Sequence, residues 1–290
     1  MKLNGRRESN NVDDRRGQRS SAAGIGGLGI GGIIIAMVFA YFTGGNPLEV
    51  LQNVDTSSLN VQEQTSNGQE FTEEEQELAK FSRQILAGTE DVWTEVFQKM
   101  GRTYTPPKMV LYTGSVKTSC GNGSSSMGPF YCSGDQCLYI DLSFFSSMKQ
   151  QLGADGDFAY AYVIAHEVGH HVEYLLGTLD KAHNQMAQLN TTEANKISVR
   201  LELLADFYAG VWAYHDNEKF SSLEDGDIEE AINCAQVIGD NYLQEKARGY
   251  STPESFTHGT SKQRMKWLKL GLTTGDMSKG TTFQCSDSEL

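Results

Sequence analysis

Two histidines four residues apart, His166 and His170, restrict the fold of this chain more than any other feature. Residues at this spacing leave the same face of an α-helix one turn apart, which suits two ligands of one tetrahedral zinc ion. The apolar residues around them recur at intervals of three and four, as on a buried helix face: Ala161, Ala165, Val168, Val172 and Leu175. With Asp157 as its cap and Gly177 as its stop signal, this helix is predicted to run from Phe158 to about Leu176.

Glu167 follows the first histidine and is rotated by about 100° from it on the helix, so it can reach a bound water without being a ligand. Zinc lowers the pKa of such a water, and a carboxylate beside it can take the proton and deliver it to a leaving amine. This is the metalloprotease motif. It predicts zinc as the cofactor, His166 and His170 as ligands, and Glu167 as general base and acid.

A chance match to this motif would usually lie on a polar surface helix. Here the motif lies in an apolar stretch, with Gly169 at a helix-interior position. A glycine there costs about 1 kcal/mol relative to alanine. That cost is easiest to understand if another backbone must approach the helix closely at this point.

The third zinc ligand is predicted on a second helix, from about Glu193 to Trp212. Glu202 and Asp206 share one face of it, so Glu202 could bind zinc while Asp206 accepts the free N–H of a ligand histidine. Glu173, seven residues after His166, is the alternative ligand because it lies on the face of the motif histidines. The adjacent His171 points about 100° away and is predicted to have a supporting or structural role.

Peptide hydrolysis also requires a group that stabilises the tetrahedral oxyanion. His258 stands next to Gly259, just before a helix predicted to start near Ser261 and to carry Arg264. We therefore predict His258 as the hydrogen-bond donor to the oxyanion. The alternative is a turn histidine that caps local backbone.

The amino-terminal part predicts a membrane anchor. Residues 22–43 contain no charged residue and are long enough to span a bilayer as a helix. Basic residues prevail in 1–21, which favours a cytoplasmic tail and a single-pass membrane protein with an extracytoplasmic catalytic domain. Residues 44–71 are predicted to be a flexible linker, and residues 72–290 the metallopeptidase domain. A cleaved signal peptide and a buried core helix are the alternatives for 22–43.

Charge and cysteine content add two expectations. The net charge is −13 and residues 1–21 carry six basic and three acidic groups, so the rest sums to about −16, which argues against nucleic-acid binding. The five cysteines allow a clip among Cys120, Cys132 and Cys137 and a pair between Cys234 and Cys285, with one thiol left over.

The predicted fold class is α+β, a small and mainly antiparallel sheet followed by helices. Thr72 and Glu75 form a capping box that opens a helix over roughly 73–99. Strands are predicted at 109–112 and 138–142, and the chain after Gly156 is predicted to be mostly helical.

The chain resembles the neutral zinc metallopeptidase family of bacteria, the YpfJ-type proteins. The resemblance rests on these segments: GRRESNNVDDRRG (5–17), GGLGIGG (26–32), GPFYC (128–132), AHEVGHH (165–171), RLELLADFYAGVWA (200–213) and FTHGTSKQR (256–264). It implies a membrane anchor, a gluzincin-like domain, and a peptide or protein as substrate. In the gluzincin plan the strand before the active helix forms the sheet edge and pairs with substrate, which designates Leu138–Leu142 here.

The sequence thus predicts zinc-dependent hydrolysis of peptide bonds. Two alternatives share the zinc site: a non-catalytic, membrane-tethered scaffold, and an amidase acting on cell-wall crosslinks. The intact Glu167 argues against the scaffold, because a purely structural zinc normally has four protein ligands and no use for that carboxylate.

Overall fold

The structure, a computed structural model, describes residues 1–18 and 71–290. The anchor predicted at residues 22–43 and nearly all of the predicted linker lie outside the described residues. The described chain thus comprises a short amino-terminal segment, 1–18, and a long segment that begins at Phe71.

The main sheet has the strand order β1-β2-β6-β5. Its strands are β1 (Val12–Asp14), β2 (Lys108–Tyr112), β5 (Phe130–Cys132) and β6 (Cys137–Asp141), and a separate hairpin is formed by β3 (Ser115–Thr118) and β4 (Gly121–Ser124). The strand pairs β1–β2 and β2–β6 are parallel, and only β5–β6 is antiparallel. The prediction of a mainly antiparallel sheet is therefore wrong. The segment between β2 and β6 returns the chain to its starting end, so β6 runs in the same direction as β2.

The resemblance predicts that Leu138–Leu142 forms the edge of the sheet, and this prediction is also wrong. Strand β6 lies between β2 and β5, so it is an interior strand of the sheet. Within the described residues the edge next to β6 is β5, which is connected to it by a tight antiparallel turn with Cys132 opposite Cys137.

Helices account for most of the remaining described chain: α1 (Glu73–Lys99), α2 (Ser143–Ser147), α3 (Asp157–Leu176), α4 (Thr178–Met186), α5 (Thr191–Phe220), α6 (Asp227–Val237), α7 (Asp240–Arg248) and α8 (Ser261–Thr274). The predicted capping box at Thr72 and Glu75 is present and opens α1. Helix α3 ends at Gly177 in a left-handed conformation, as predicted, but its N-cap is Gly156 rather than Asp157. The α+β class is confirmed.

Residues 1–18 are part of the folded domain. Strand β1 pairs with β2, and the Arg6 guanidinium binds the buried Asp216 carboxylate of α5 with an Nη2–Oδ1 distance of 2.7 Å. The predicted localisation, with the amino terminus and the catalytic domain on opposite sides of a membrane, is therefore wrong, because one packed unit cannot be divided in that way. In the described ranges 1–18 and 71–290, every helix is too short or too polar to cross a bilayer.

The cysteine predictions are confirmed in one part and corrected in the other. Cys120 and Cys132 form a disulfide that joins the β3–β4 hairpin to the end of β5. Cys234 and Cys285 are not bonded to each other. Cys234 is buried in the core, with its Sγ 3.6 Å from the Met148 sulfur, whereas the Cys285 thiol donates to the Thr282 carbonyl. Cys137 is also a free thiol.

Candidate metal centre and active site

The site is built where helices α3 and α5 cross. A Cβ atom placed on Gly169 of α3 would lie 2.9 Å from the Ala205 carbonyl oxygen of α5, closer than real Cβ contacts. Only glycine lets the two backbones approach this far. The close approach expected from Gly169 is thus observed, and it brings the motif histidines against the face of α5 that carries Glu202.

Two histidine nitrogens and one carboxylate converge at the crossing. Nε2 of His166 lies 3.2 Å from Glu202 Oε2, and Nε2 of His170 lies 3.6 Å from Glu202 Oε1. One potential ligand atom from each of the three residues lies within 4.8 Å of the other two. Two imidazoles and one carboxylate, with a fourth position left for water, are the donor set of a catalytic zinc ion, so these residues fit that metal.

The Nδ1 atom of His166 faces away from Glu202, toward Asp206. Its N–H donates to Asp206 Oδ1 over 2.8 Å, and the same carboxylate accepts from the Tyr162 hydroxyl at 2.6 Å and from Arg264 Nε at 2.8 Å. Burial raises the pKa of Asp206, but Arg264 and His166 outweigh burial and hold it below its usual value. Asp206 is therefore a fixed, ionised acceptor that sets the tautomer of His166.

Helix α8 delivers Arg264 to this carboxylate. Gly210 of α5 and Gly271 of α8 meet at the crossing of the two helices, and a Cβ on either would clash with the backbone of the other helix. This contact lets the Arg264 side chain lie almost fully buried beside Asp206. A buried guanidinium and carboxylate compensate each other only if their geometry is good, and the second bond, Nη2 to Oδ1 at 2.8 Å, provides it.

Glu173 makes a different contact from the one expected of a ligand. Its Oε2 lies 2.9 Å from Nδ1 of His170, on the side of the imidazole away from Glu202. The carboxyl is fully buried, and burial raises its pKa to about 7, against the opposing effect of His170. Glu173 therefore contacts His170 on the side away from the cluster of potential ligand atoms, whereas Glu202 belongs to that cluster.

Glu167 directly follows His166 on α3 and is largely buried. Burial raises the pKa of its carboxyl above the ordinary value, and the charges of His166 and His170 counteract part of that effect. A carboxylate with a raised pKa is a stronger proton acceptor, as a general base at neutral pH requires.

His258 is held by a carboxylate that sequence reasoning missed. Asp240 Oδ2 accepts the backbone N–H groups of Thr257 and His258, each at 2.7 Å, and its Oδ1 lies 3.2 Å from His258 Nδ1. Burial raises the pKa of Glu202, but His258, His170 and His166 outweigh burial and hold that pKa below its ordinary value. The sequence signal for Asp240 is weak: it is an acidic residue after Gly239 at the start of α7.

His171 lies on a different face of α3, about 100° around the helix from His170. Its Nε2–H donates to the Thr105 carbonyl at 2.7 Å, and its Nδ1 accepts from the Tyr131 hydroxyl at 2.8 Å. This pairing requires the neutral imidazole, and burial lowers the pKa of His171 to about 4. His171 thereby joins α3 to strand β5. This is the structural role, one of the two roles predicted for it from the sequence.

The lowered pKa of His171 predicts a loss of stability in acid. The unfolded chain binds the proton with a pKa of about 6.5, so the contribution is complete above that pH and is lost as pH falls toward 4. The shift corresponds to about 3 kcal/mol. In His171→Asn, the free energy of unfolding, measured with denaturant between pH 7 and 4, should depend less on pH than in the wild type. The difference in slope should correspond to at most one proton bound on unfolding. Equal slopes for both proteins would contradict this assignment.

The chain is similar to one protein family and to several known proteins. Residues 1–283 match the family described as "Putative neutral zinc metallopeptidase". The chain is 47% identical to the uncharacterized protein YpfJ of Escherichia coli K12, over 98% of this chain and 99% of YpfJ. It is 42% identical to the uncharacterized protein Mb2605 of Mycobacterium bovis, over 63% of this chain and 64% of that protein. No solved structure matches the chain significantly.

Proposed function

Because the chain belongs to the neutral zinc metallopeptidase family, a family of zinc-dependent hydrolases that act on proteins or peptides, we propose that it hydrolyses peptide bonds at the crossing of α3 and α5. In this proposal His166, His170 and Glu202 hold the zinc ion. The observation that carries it is the convergence of their ligand atoms within 4.8 Å. The carboxylates behind both imidazoles add support, because zinc-binding histidines usually have such partners.

In the same proposal, Glu167 transfers protons and His258 stabilises the oxyanion. Bound zinc would supply a Lewis acid that polarises the scissile carbonyl and lowers the pKa of a water. Glu167 takes a proton from the attacking water and later delivers it to the leaving amine. His258 donates to the oxyanion that forms from the carbonyl. Burial disfavours the charged form of His258, but Glu202 and Asp240 outweigh burial and raise its pKa above the ordinary value.

Strand β5 is the proposed place for the substrate backbone. It forms one edge of the main sheet, and the Tyr131–His171 hydrogen bond of 2.8 Å fixes it to the helix that carries the motif. An extended peptide could add to β5 as a further strand and lie across the zinc ligands. Backbone pairing of this kind selects for extended conformation more than for side-chain identity.

The proposal is tested on the purified full chain with reduced, carboxymethylated casein as substrate. Elemental analysis should find about one zinc per chain, and new α-amino groups should appear at a rate that 1,10-phenanthroline abolishes. Addition of zinc after removal of the chelator should restore the rate, whereas addition of magnesium should not, because magnesium prefers oxygen ligands. Stoichiometric zinc without cleavage of casein or of cell-wall peptides would instead favour a non-catalytic zinc domain.

A further inference from the structure

Both motif histidines have a carboxylate at Nδ1, but the two carboxylates are held in different ways. Asp206 comes from the other helix and is fixed by Arg264 and Tyr162 as well as by His166. Glu173 comes from α3 itself, three residues after His170, and its Oε2 lies 2.9 Å from His170 Nδ1.

Nothing else in the described structure explains why a carboxylate occupies position 173. The side chain is 0% exposed, and Oε1 makes no hydrogen bond to any other described residue. Burying a carboxylate that is only partly hydrogen-bonded is costly, and an apolar side chain of similar shape would usually be tolerated at least as well. The single contact to His170 is therefore the feature that accounts for the residue.

Glu90 shows what a structural buried carboxylate looks like in the same protein. It is also largely buried, but it accepts from Ser9, from the Asn11 side-chain amide at 2.8 Å and from Arg7 at 2.9 Å. These bonds join the amino-terminal segment to α1. Glu173 joins no two elements, because its partner lies on its own helix.

We propose that Glu173 is a positioning residue for the zinc ligand His170, an inference that rests on the metal site proposed above. Its carboxylate accepts the Nδ1–H, which fixes the tautomer with the Nε2 lone pair directed toward Glu202 and makes that nitrogen a better donor to a metal ion. His170 is thus oriented within α3, independently of the crossing with α5, whereas His166 is oriented across it.

The test compares zinc dissociation constants of the full chain and its variants, measured by competition with a chromophoric chelator. In Glu173→Met, which keeps the approximate shape and removes the acceptor, zinc should bind about 10- to 100-fold more weakly. Glu173→Gln should recover most of that loss, because its amide oxygen can still accept the Nδ1–H. The control Glu90→Gln should bind zinc like the wild type.

A second readout separates positioning from packing. With Co²⁺ in place of zinc, the visible absorption of the bound ion should change in Glu173→Met and stay unchanged in Glu90→Gln, while metal-free Glu173→Met unfolds at a denaturant concentration comparable to that of the metal-free wild type. Wild-type zinc affinity and an unchanged cobalt spectrum in Glu173→Met would overturn the role of Glu173 and leave the zinc site standing. A wild-type chain that binds no zinc would instead overturn both.

Discussion

Replacing Glu167 with glutamine is expected to reduce kcat for peptide hydrolysis by about 10²- to 10⁴-fold while zinc content stays at the wild-type level. Glutamine has the shape of glutamate but cannot take a proton from the attacking water. The residue lies beside the converging ligand atoms without being one of them, so its replacement should not disturb the metal. Elemental analysis together with the casein assay measures both quantities on the same preparation.

Glu90→Gln is the matched control for this experiment, because it changes another buried glutamate, one that binds Ser9, Asn11 and Arg7 and none of the zinc-site residues. Its kcat should equal that of the wild type. If Glu167→Gln retains full turnover, the general base is another group, and the proposed mechanism fails although the zinc site could remain. If it loses zinc as well as activity, Glu167 has a structural role at the metal.

Replacing Glu202 with alanine is expected to weaken zinc binding by about 10²- to 10³-fold. Zinc sites with four protein ligands bind with about 10–16 kcal/mol, or about 2.5–4 kcal/mol per ligand, which corresponds to a loss of roughly that size. The carboxylate lies within 3.6 Å of both Nε2 atoms, so alanine would leave two imidazoles and a cavity. The chelator competition assay measures the change directly.

Glu193→Ala is the control for Glu202→Ala, since it removes an exposed glutamate from the first turn of the same helix. Its zinc affinity should match the wild type. Undiminished affinity in Glu202→Ala would show that another group supplies the third ligand. The position of Glu173 at Nδ1 of His170, away from Glu202, makes it a poor replacement.

Local signals in the sequence predict the helices well. The capping box at Thr72 fixes the start of α1, and the observed helix Glu73–Lys99 has the predicted limits. Helix α5 is predicted to end near Trp212 but continues to Phe220, because nothing between those residues stops a helix. Helix caps and the periodic spacing of apolar residues involve positions only a few residues apart, so both can be recognised in a single sequence.

The sheet is less predictable because its pairing is not local. Strand β1 pairs with β2 across almost 100 residues, with Val12 opposite Met109, and no nearby residue specifies that partner. The same limit applies to the site. The spacing of His166 and His170 is a local pattern, whereas the contact of Asp240 with His258 depends on how α7 packs against the segment before α8.

The packing of the amino-terminal segment also determines at which positions the fold tolerates an insertion or a truncation. The Arg16 guanidinium lies 4.2 Å from the centroid of the Phe71 ring and donates to the Glu75 carbonyl, so the end of the first described segment lies close to the start of the second. Residues 18 and 71, between which the description is interrupted, are thus neighbouring positions of the domain. Loop-closure entropy grows only slowly with length, so insertions of very different size at this point impose similar costs on the fold. A fragment starting at residue 72, in contrast, would lack β1 and expose the edge of β2 to pairing with other chains.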